Sequence, residues 1–179
     1  MRRSLTSWLK SVIRPLRVAA GRFVVATDSP TSTIIYKAAE ILSSEQVQGD
    51  YLEFGVYRGS TLIQAFHTIR RSYLDRAADR TSLHSAEFRR SVRRLWEGMR
   101  FFAFDSFEGL PELTGPDRDT SDFAAGKFAC SPEAFSERVS RHGVDLSKVV
   151  TVPGWFADTC CEETIRRHNM RAAAFVHID

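Results

Sequence analysis

Four short runs of apolar residues recur along this 179-residue chain, at positions 51–56, 101–105, 149–152 and 172–179. Each run is closed or followed by glycine or aspartate, and the stretches between them mostly repeat apolar residues at helical spacing. Continuous apolar runs of this length are typical of strands that are buried on both faces of a parallel sheet. The pattern therefore predicts an α/β domain in which helices cover both faces of a parallel sheet of about four strands.

Two helical patterns precede the first run. Residues 1–27 carry six basic side chains and no acid, with apolar residues at helical spacing between them. Such a basic amphipathic segment is typical of a membrane-surface helix, and equally of a helix that docks on its own domain or on a second subunit. The next helix is predicted to begin at Pro30, with Ser29 as its N-cap, and to end near Ser43 or Ser44. We therefore divide the chain into an N-terminal segment, 1–27, and a main domain, 28–179.

Within the main domain, residues 70–99 form a charged, arginine-rich insert with a helical pattern. Its apolar residues, Phe88, Val92, Leu95 and Trp96, give only a narrow stripe along one face. This favours a solvated surface helix over a binding element.

Composition limits the classes of partner. Hydrophobic residues make up 43% of the chain and charged residues 26%, which fits one globular domain, and the net charge is only +3. Basic residues do not alternate with aromatic ones along a face, which argues against a nucleic-acid partner. No apolar run reaches the length needed to span a bilayer, and three cysteines that include an adjacent pair suit a reducing compartment. We expect a cytoplasmic protein without a membrane partner, and the N-terminal segment is compatible with a homo-oligomer.

The residues that close the runs are the candidate site, because ligands of open parallel sheets bind at the carboxyl ends of the strands. These are residues 55–60, 105–109 and 154–158, and Asp179. Glycines there allow the backbone to approach a ligand, and an acid such as Asp105 is expected on a ribose diol, so a nucleoside cofactor fits. The spacing Glu53-x-Gly55-x-x-x-Gly59 lacks the Gly-x-Gly-x-x-Gly of pyrophosphate binding, which weakens NAD or FAD. Glu53 is costly to bury in an apolar strand without partners, which favours a functional role.

Four segments around these positions resemble one protein family, and they occur in the order that the family shows. They read GDYLEFGVYRGS at 49–60, FDSFEGLP at 104–111, GWFADT at 154–159 and HID at 177–179. Together they resemble the TylF, or macrocin O-methyltransferase, family. The resemblance spans roughly residues 28–179 and does not extend to residues 1–27 or to the insert.

The resemblance implies a Rossmann-like class I methyltransferase fold that binds S-adenosylmethionine and methylates a hydroxyl of a sugar or other small natural product. It also implies a divalent metal, usually magnesium. By position, Glu53, Gly55 and Gly59 would line the methionine end of the cofactor, and Asp105 would hold its ribose. Asp179 matches the first metal-binding aspartate of the family, whose general base is expected beyond this residue. The full set of cofactor-binding residues that the resemblance implies is Glu53, Gly55, Tyr57, Gly59, Ser60, Asp105, Ser106, Phe107, Trp155 and Phe156.

The family adds about three further strands after the position of Asp179, so we expect this sequence to be incomplete at its C-terminal part. A strand as apolar as residues 172–178 is also expected to lie in the centre of a sheet. The leading hypothesis is an S-adenosylmethionine-dependent O-methyltransferase. The alternative is a non-catalytic remnant or interaction module that at most binds the nucleoside, and a nicotinamide-dependent oxidoreductase is the weakest hypothesis.

Overall fold

The computed structural model describes residues 30–81, 84–112 and 124–179. The chain divides into two compact units, Met1–Ile34 and Ile35–Asp179. The first unit lies almost wholly outside the described residues, and with it the predicted amphipathic segment 1–27 and the predicted cap at Ser29. The elements in chain order are α1 (Pro30–Ser44), β1 (Asp50–Phe54), α2 (Ser60–Ala78), α3 (Ala86–Gly98), β2 (Phe101–Asp105), α4 (Pro132–Arg141), a 3₁₀ turn (Leu146–Lys148), β3 (Val149–Pro153), α5 (Phe156–Thr159), α6 (Glu162–Arg167) and β4 (Ala173–Ile178).

The four strands form one parallel sheet in the order β3-β2-β1-β4. Tyr51 of β1 lies opposite Phe101 of β2 on one side and Phe175 of β4 on the other. The predicted α/β fold with a parallel sheet is confirmed, and each predicted strand lies within two residues of the observed one.

One face of the sheet carries the main hydrophobic core. Side chains of β1 and β2 there pack against α1, α2, α3 and α4. Fully buried members of this core include Ile35, Leu62, Phe101 and Phe135. Two of the covering helices begin where the sequence supplies a cap, because Ser85 accepts a hydrogen bond from Phe88 N and Ser131 accepts one from Ala134 N.

The opposite face of the sheet is less covered in the described part of the chain. Its buried residues are Phe102, Phe104 and Val152, with a few half-buried neighbours. On β4, Val176 is 47% exposed and Ile178 is 77% exposed. The sheet therefore buries β1 and β2 well and leaves β4 partly open to solvent on this side.

The arginine-rich insert is divided between two helices. Residues 70–78 continue α2 without a break, and Ala86–Gly98 forms α3. Val92 and Trp96 of α3 are buried in the main core, whereas three of the four arginines of this helix are exposed. Lys148 Nζ donates to the carbonyl oxygens of Trp96 and Met99 at the end of α3, which ties this helix to the start of β3.

An ion pair fixes the end of the sheet at which the strands begin. Asp50 is buried at the start of β1, and Arg100 Nη2 donates to its Oδ2 at 2.7 Å. Arg100 Nη1 also donates to the carbonyl oxygen of His168 at 2.7 Å. The chain before β2 is thereby joined to β1 and to the segment before β4.

No helix in the described ranges is long and apolar enough to cross a membrane.

Candidate functional site

The carboxyl ends of the four strands meet at one edge, and backbone hydrogen bonds tie them together. Gly55 N donates to Phe104 O at 2.9 Å, and Gly154 N donates to Asp105 O at 2.9 Å. Asp179 N donates to Phe54 O at 3.0 Å. The residues that the sequence placed at strand ends are therefore brought together at one edge.

The turn after β1 has an unusual backbone. Gly55 has φ 85°, Tyr57 has φ 45° and Gly59 has φ 76°. A Cβ at Gly55 would lie 3.3 Å from the backbone oxygen of Asp179, so glycine allows the end of β4 to approach closely. The left-handed conformation of the non-glycine Tyr57 is costly and must be held in place by its surroundings.

Asp105 holds this turn. Its Oδ2 accepts hydrogen bonds from the backbone N–H groups of Val56 at 2.8 Å and Tyr57 at 2.9 Å. Its Oδ1 accepts one from Phe107 N at 2.8 Å. Because a carboxylate oxygen can accept two hydrogen bonds, Oδ1 retains capacity for one more donor. The side chain thus joins the turn after β1 to the loop after β2.

Glu53 is the most unusual polar side chain of the site. It is fully buried, and Tyr51 Oη donates a hydrogen bond to its Oε2 at 2.5 Å. Its Oε1 is buried and has no partner among the residues described. Burial raises the pKa of the Glu53 carboxyl to about 8, an effect that the Tyr51 hydrogen bond partly offsets and the negative charge of Asp179 strengthens. His177, opposite Glu53 on β4, also has a buried Nδ1 without a partner in this part of the chain.

The remaining predicted cofactor residues lie around this centre in different environments. Ser60 is the exposed first residue of α2. Ser106 Oγ donates to the carbonyl oxygen of Gly109 and so shapes the loop after β2. Phe107 is 8% exposed, with its ring 5.7 Å from that of Phe135 in the main core.

Trp155 and Phe156 lie where the chain leaves β3. They are 37% and 43% exposed, and the Phe156 ring meets the Phe54 ring edge-on at 5.7 Å. They are therefore not core aromatics. Two flat apolar surfaces that remain accessible at a strand end can stack against a planar ligand.

Two aromatic residues of this region carry no sequence signal for a site. Phe128 has φ 66°, is half exposed, and meets the Tyr57 ring edge-on at 5.5 Å. It is brought there by backbone hydrogen bonds between Leu110 and the segment Gly126 to Lys127, which no sequence motif signals. The other is Tyr51, whose position in an apolar run indicates only a core residue.

Asp179 is the only predicted metal ligand. Among the residues that the structure describes, no group of three His, Cys, Asp or Glu side chains could hold a metal ion. The described residues therefore do not make a complete metal site, and Asp179 as a ligand stays a prediction.

One comparison with known proteins identifies the family, and another supports the fold. Residues 33–171 match the family described as Macrocin-O-methyltransferase (TylF). The structure of the O-methyltransferase NovP superimposes with a TM-score of 0.55 and 21% identity, over 83% of this chain and 52% of NovP. The calicheamicin methyltransferase CalS11 superimposes with a TM-score of 0.55 and 20% identity, over 86% of this chain and 53% of CalS11. A comparison with curated protein sequences gave no significant match.

The chain spans about half the length of the two structures that it resembles. At this level of identity the likeness establishes the fold alone, a Rossmann-like parallel sheet with helices. The family match covers most of the chain and includes β1, β2, β3 and the turn after β1. This chain belongs to the macrocin O-methyltransferase (TylF) family.

Proposed function

We propose that this chain forms the S-adenosylmethionine-binding part of an O-methyltransferase that acts on a hydroxyl group of a sugar or other small natural product. The observation that carries the proposal is the buried carboxyl of Glu53, whose Oε1 has no partner among the described residues, next to the turn 55–59. Family membership supports the reaction class, and the O-methyltransferase NovP and the calicheamicin methyltransferase CalS11 share the fold.

A cytoplasmic location remains an expectation, which the three free cysteines suit.

Glu53 would bind the methionine end of the cofactor. A carboxyl with one oxygen fixed by Tyr51 and one oxygen free suits an ammonium group, because a charge-assisted hydrogen bond would satisfy Oε1. Gly55, whose missing side chain lets the end of β4 approach, would line the same end of the ligand through its backbone. Tyr57 and Ser60 lie on the turn and at the start of α2, where they would complete this side of the site.

Asp105 and the aromatic residues after β3 would bind the nucleoside. Oδ1 of Asp105 accepts a single hydrogen bond and can accept another from a ribose hydroxyl. The exposed rings of Trp155 and Phe156 would stack on the adenine or enclose it. The two ends of the cofactor would thus be held by different strands, which fixes the sulfur between them.

When bound, S-adenosylmethionine supplies a methyl group on a sulfonium, which is transferred by in-line displacement to the acceptor oxygen. The residues of this chain act on that reaction by holding the cofactor in one orientation. Asp179, at the end of β4, would serve as one carboxylate ligand of Mg²⁺, which takes one or two carboxylates together with water and substrate oxygens. We assign no step of the reaction to a metal, because the described residues include no group of three His, Cys, Asp or Glu side chains that could hold one.

The first test is isothermal titration calorimetry of S-adenosylhomocysteine into the purified chain, with and without Mg²⁺. We expect a Kd on the order of micromolar. Asp105→Ala should abolish the binding, because it removes both the ribose acceptor and the carboxylate that holds the turn after β1. Asp75→Asn is the matched control, since Asp75 is an exposed carboxylate on the outer side of α2, and it should bind like the unmodified chain.

Three other results would point elsewhere. If a folded sample binds S-adenosylhomocysteine but transfers no methyl group to any hydroxyl acceptor, the nucleoside-binding module is the better description. If it binds NADH and not S-adenosylhomocysteine, the chain is a nicotinamide-dependent oxidoreductase and the proposal is wrong. If it binds neither, the remnant hypothesis holds.

A further inference from the structure

Tyr51 is held rigidly beside Glu53. The two residues are separated by one position on β1, so their side chains lie on the same face of the sheet. The Tyr51 ring is fully buried, with centroids 5.2 Å from the Phe101 ring and 5.6 Å from the Phe175 ring. These contacts fix the direction of the hydroxyl group, which donates to Glu53 Oε2 at 2.5 Å.

The hydrogen bond leaves the Glu53 carboxyl half satisfied. Oε2 is engaged by Tyr51, whereas Oε1 is buried and has no partner in the part of the chain described. A buried carboxyl oxygen without a partner is costly, because it has lost its hydration and gained nothing in return. A donor from a ligand would offset this cost.

The hydroxyl of Tyr51 is not required for packing. A phenylalanine ring would fill the same space between Phe101 and Phe175, and it would avoid burying a polar group. Burial raises the pKa of Tyr51, and the proximity of Glu53 raises it further, so the phenol stays protonated and acts as the donor. The hydroxyl therefore acts on the carboxyl of Glu53 and on no other described group.

We propose that Tyr51 is a positioning residue, whose hydroxyl fixes the Glu53 carboxyl so that Oε1 accepts a hydrogen bond from the amino group of the cofactor's methionine end. The inference rests on the proposed function. Tyr51 does not contact the cofactor in this arrangement and acts only through Glu53.

The test compares two ligands that differ at the methionine end. S-adenosylhomocysteine carries the amino acid part, and 5′-methylthioadenosine has the same nucleoside without it. In Tyr51→Phe we expect the affinity for S-adenosylhomocysteine to fall about tenfold, which is the effect of one weakened hydrogen bond to a charged group, while the affinity for 5′-methylthioadenosine stays within about twofold. In a Glu53→Gln background, Tyr51→Phe should have little further effect, since the two residues act through one contact.

Tyr73→Phe is the matched control. Tyr73 is also fully buried in the main core, but its hydroxyl donates to the carbonyl oxygen of Val47 at 3.3 Å and touches no carboxyl group. Removal of that hydroxyl should leave both affinities unchanged. Circular dichroism of each variant checks that it is folded.

The outcomes separate this inference from the function on which it rests. If the unmodified chain does not bind S-adenosylhomocysteine, the proposed function fails and the inference fails with it. If the unmodified chain binds but Tyr51→Phe weakens both ligands equally, or neither, only the positioning role is wrong. If Tyr51→Phe does not fold, Glu53→Gln becomes the deciding variant. Unchanged selectivity of Glu53→Gln between the two ligands would also overturn the positioning role of Tyr51.

Discussion

At the scale of single residues, the two glycines of the turn after β1 make room for different parts of the protein. Gly55 admits the end of β4, because a Cβ there would lie 3.3 Å from the backbone oxygen of Asp179. Gly59, the N-cap of α2 with φ 76°, admits α4 instead: a Cβ there would lie 2.7 Å from both Phe135 Cε2 and Val139 Cγ1. Phe135 and Val139 are fully buried on α4 and cannot move cheaply. Gly59 therefore allows α4 to pack over the start of α2.

Gly59→Ala should destabilise the fold. The left-handed backbone costs an L-residue about 1–2 kcal/mol, and the forced contact with α4 costs about 1–3 kcal/mol. We expect the free energy of unfolding to fall by about 2–5 kcal/mol, measured from urea denaturation followed by circular dichroism. The slope of the unfolding free energy against urea should not change.

Gly98→Ala is the control for that measurement. Gly98 is the last residue of α3, and a Cβ added there would meet no atom within 4 Å. Alanine favours a helix by up to about 1 kcal/mol over glycine, so this variant should be as stable as the unmodified chain or slightly more stable. Equal losses in the two variants would show that packing against α4 is not the reason for glycine at position 59.

At the scale of elements, a buried polar cluster joins α1 to α2. Ser72 Oγ lies 2.7 Å from Ser43 Oγ and 2.6 Å from Glu40 Oε1. Arg76 completes the cluster, since its Nε donates to Ser43 Oγ at 2.7 Å and its Nη2 to Glu40 Oε2 at 2.8 Å. The two serines are buried, so each needs these partners. The cluster fixes how α1 lies on α2.

Ser72→Ala should cost about 1–2 kcal/mol in unfolding free energy, because it leaves the buried Ser43 and the half-buried Glu40 with one hydrogen-bond partner fewer. Ser140→Ala on α4 is the matched control, since Ser140 is an exposed helical serine whose side chain forms no hydrogen bond in the described structure. It should change the stability by less than about 0.5 kcal/mol. Chemical denaturation of both variants measures the difference, and equal effects would mean that the cluster contributes little.

The elements could be predicted from the sequence where burial alone determines them. The four strands are mostly apolar, so their runs mark them within two residues. The sequence assigns residues 70–78 to the insert rather than to α2, because the arginines of this stretch mask the pattern of its buried positions Ser72 and Tyr73. An exposed, charged helix face has the same composition as a solvated insert, so composition does not distinguish the two.

The position of the candidate site could also be predicted from the sequence in outline. Residues at the carboxyl ends of parallel strands must meet, so Gly55, Asp105 and Asp179 could be grouped from the sequence. The binding of Asp105 to the backbone of residues 56 and 57 could not be foreseen, since it depends on the register of β1 against β2. The Tyr51 hydroxyl and the Phe128 ring reach the site through packing, which has no sequence signature.

At the scale of the whole molecule, stability is unevenly distributed across the sheet. β2 pairs on both sides and buries four of its five residues, whereas β3 and β4 each pair on one side within the described sheet. All six residues of β4 are half-buried or exposed. A strand with one unpaired edge has backbone N–H groups that exchange with solvent without unfolding of the sheet.

Hydrogen–deuterium exchange followed by mass spectrometry should therefore rank the strands. We expect peptides that cover β2 to exchange slowest and peptides that cover β4 to exchange at least about tenfold faster. β3 is the internal comparison, because it is also an edge strand but keeps Val152 buried, and it should lie between the two. If β4 were protected as well as β2, its open edge and the exposed Val176 would be covered in solution, and the same measurement on diluted samples would show whether a second copy covers them.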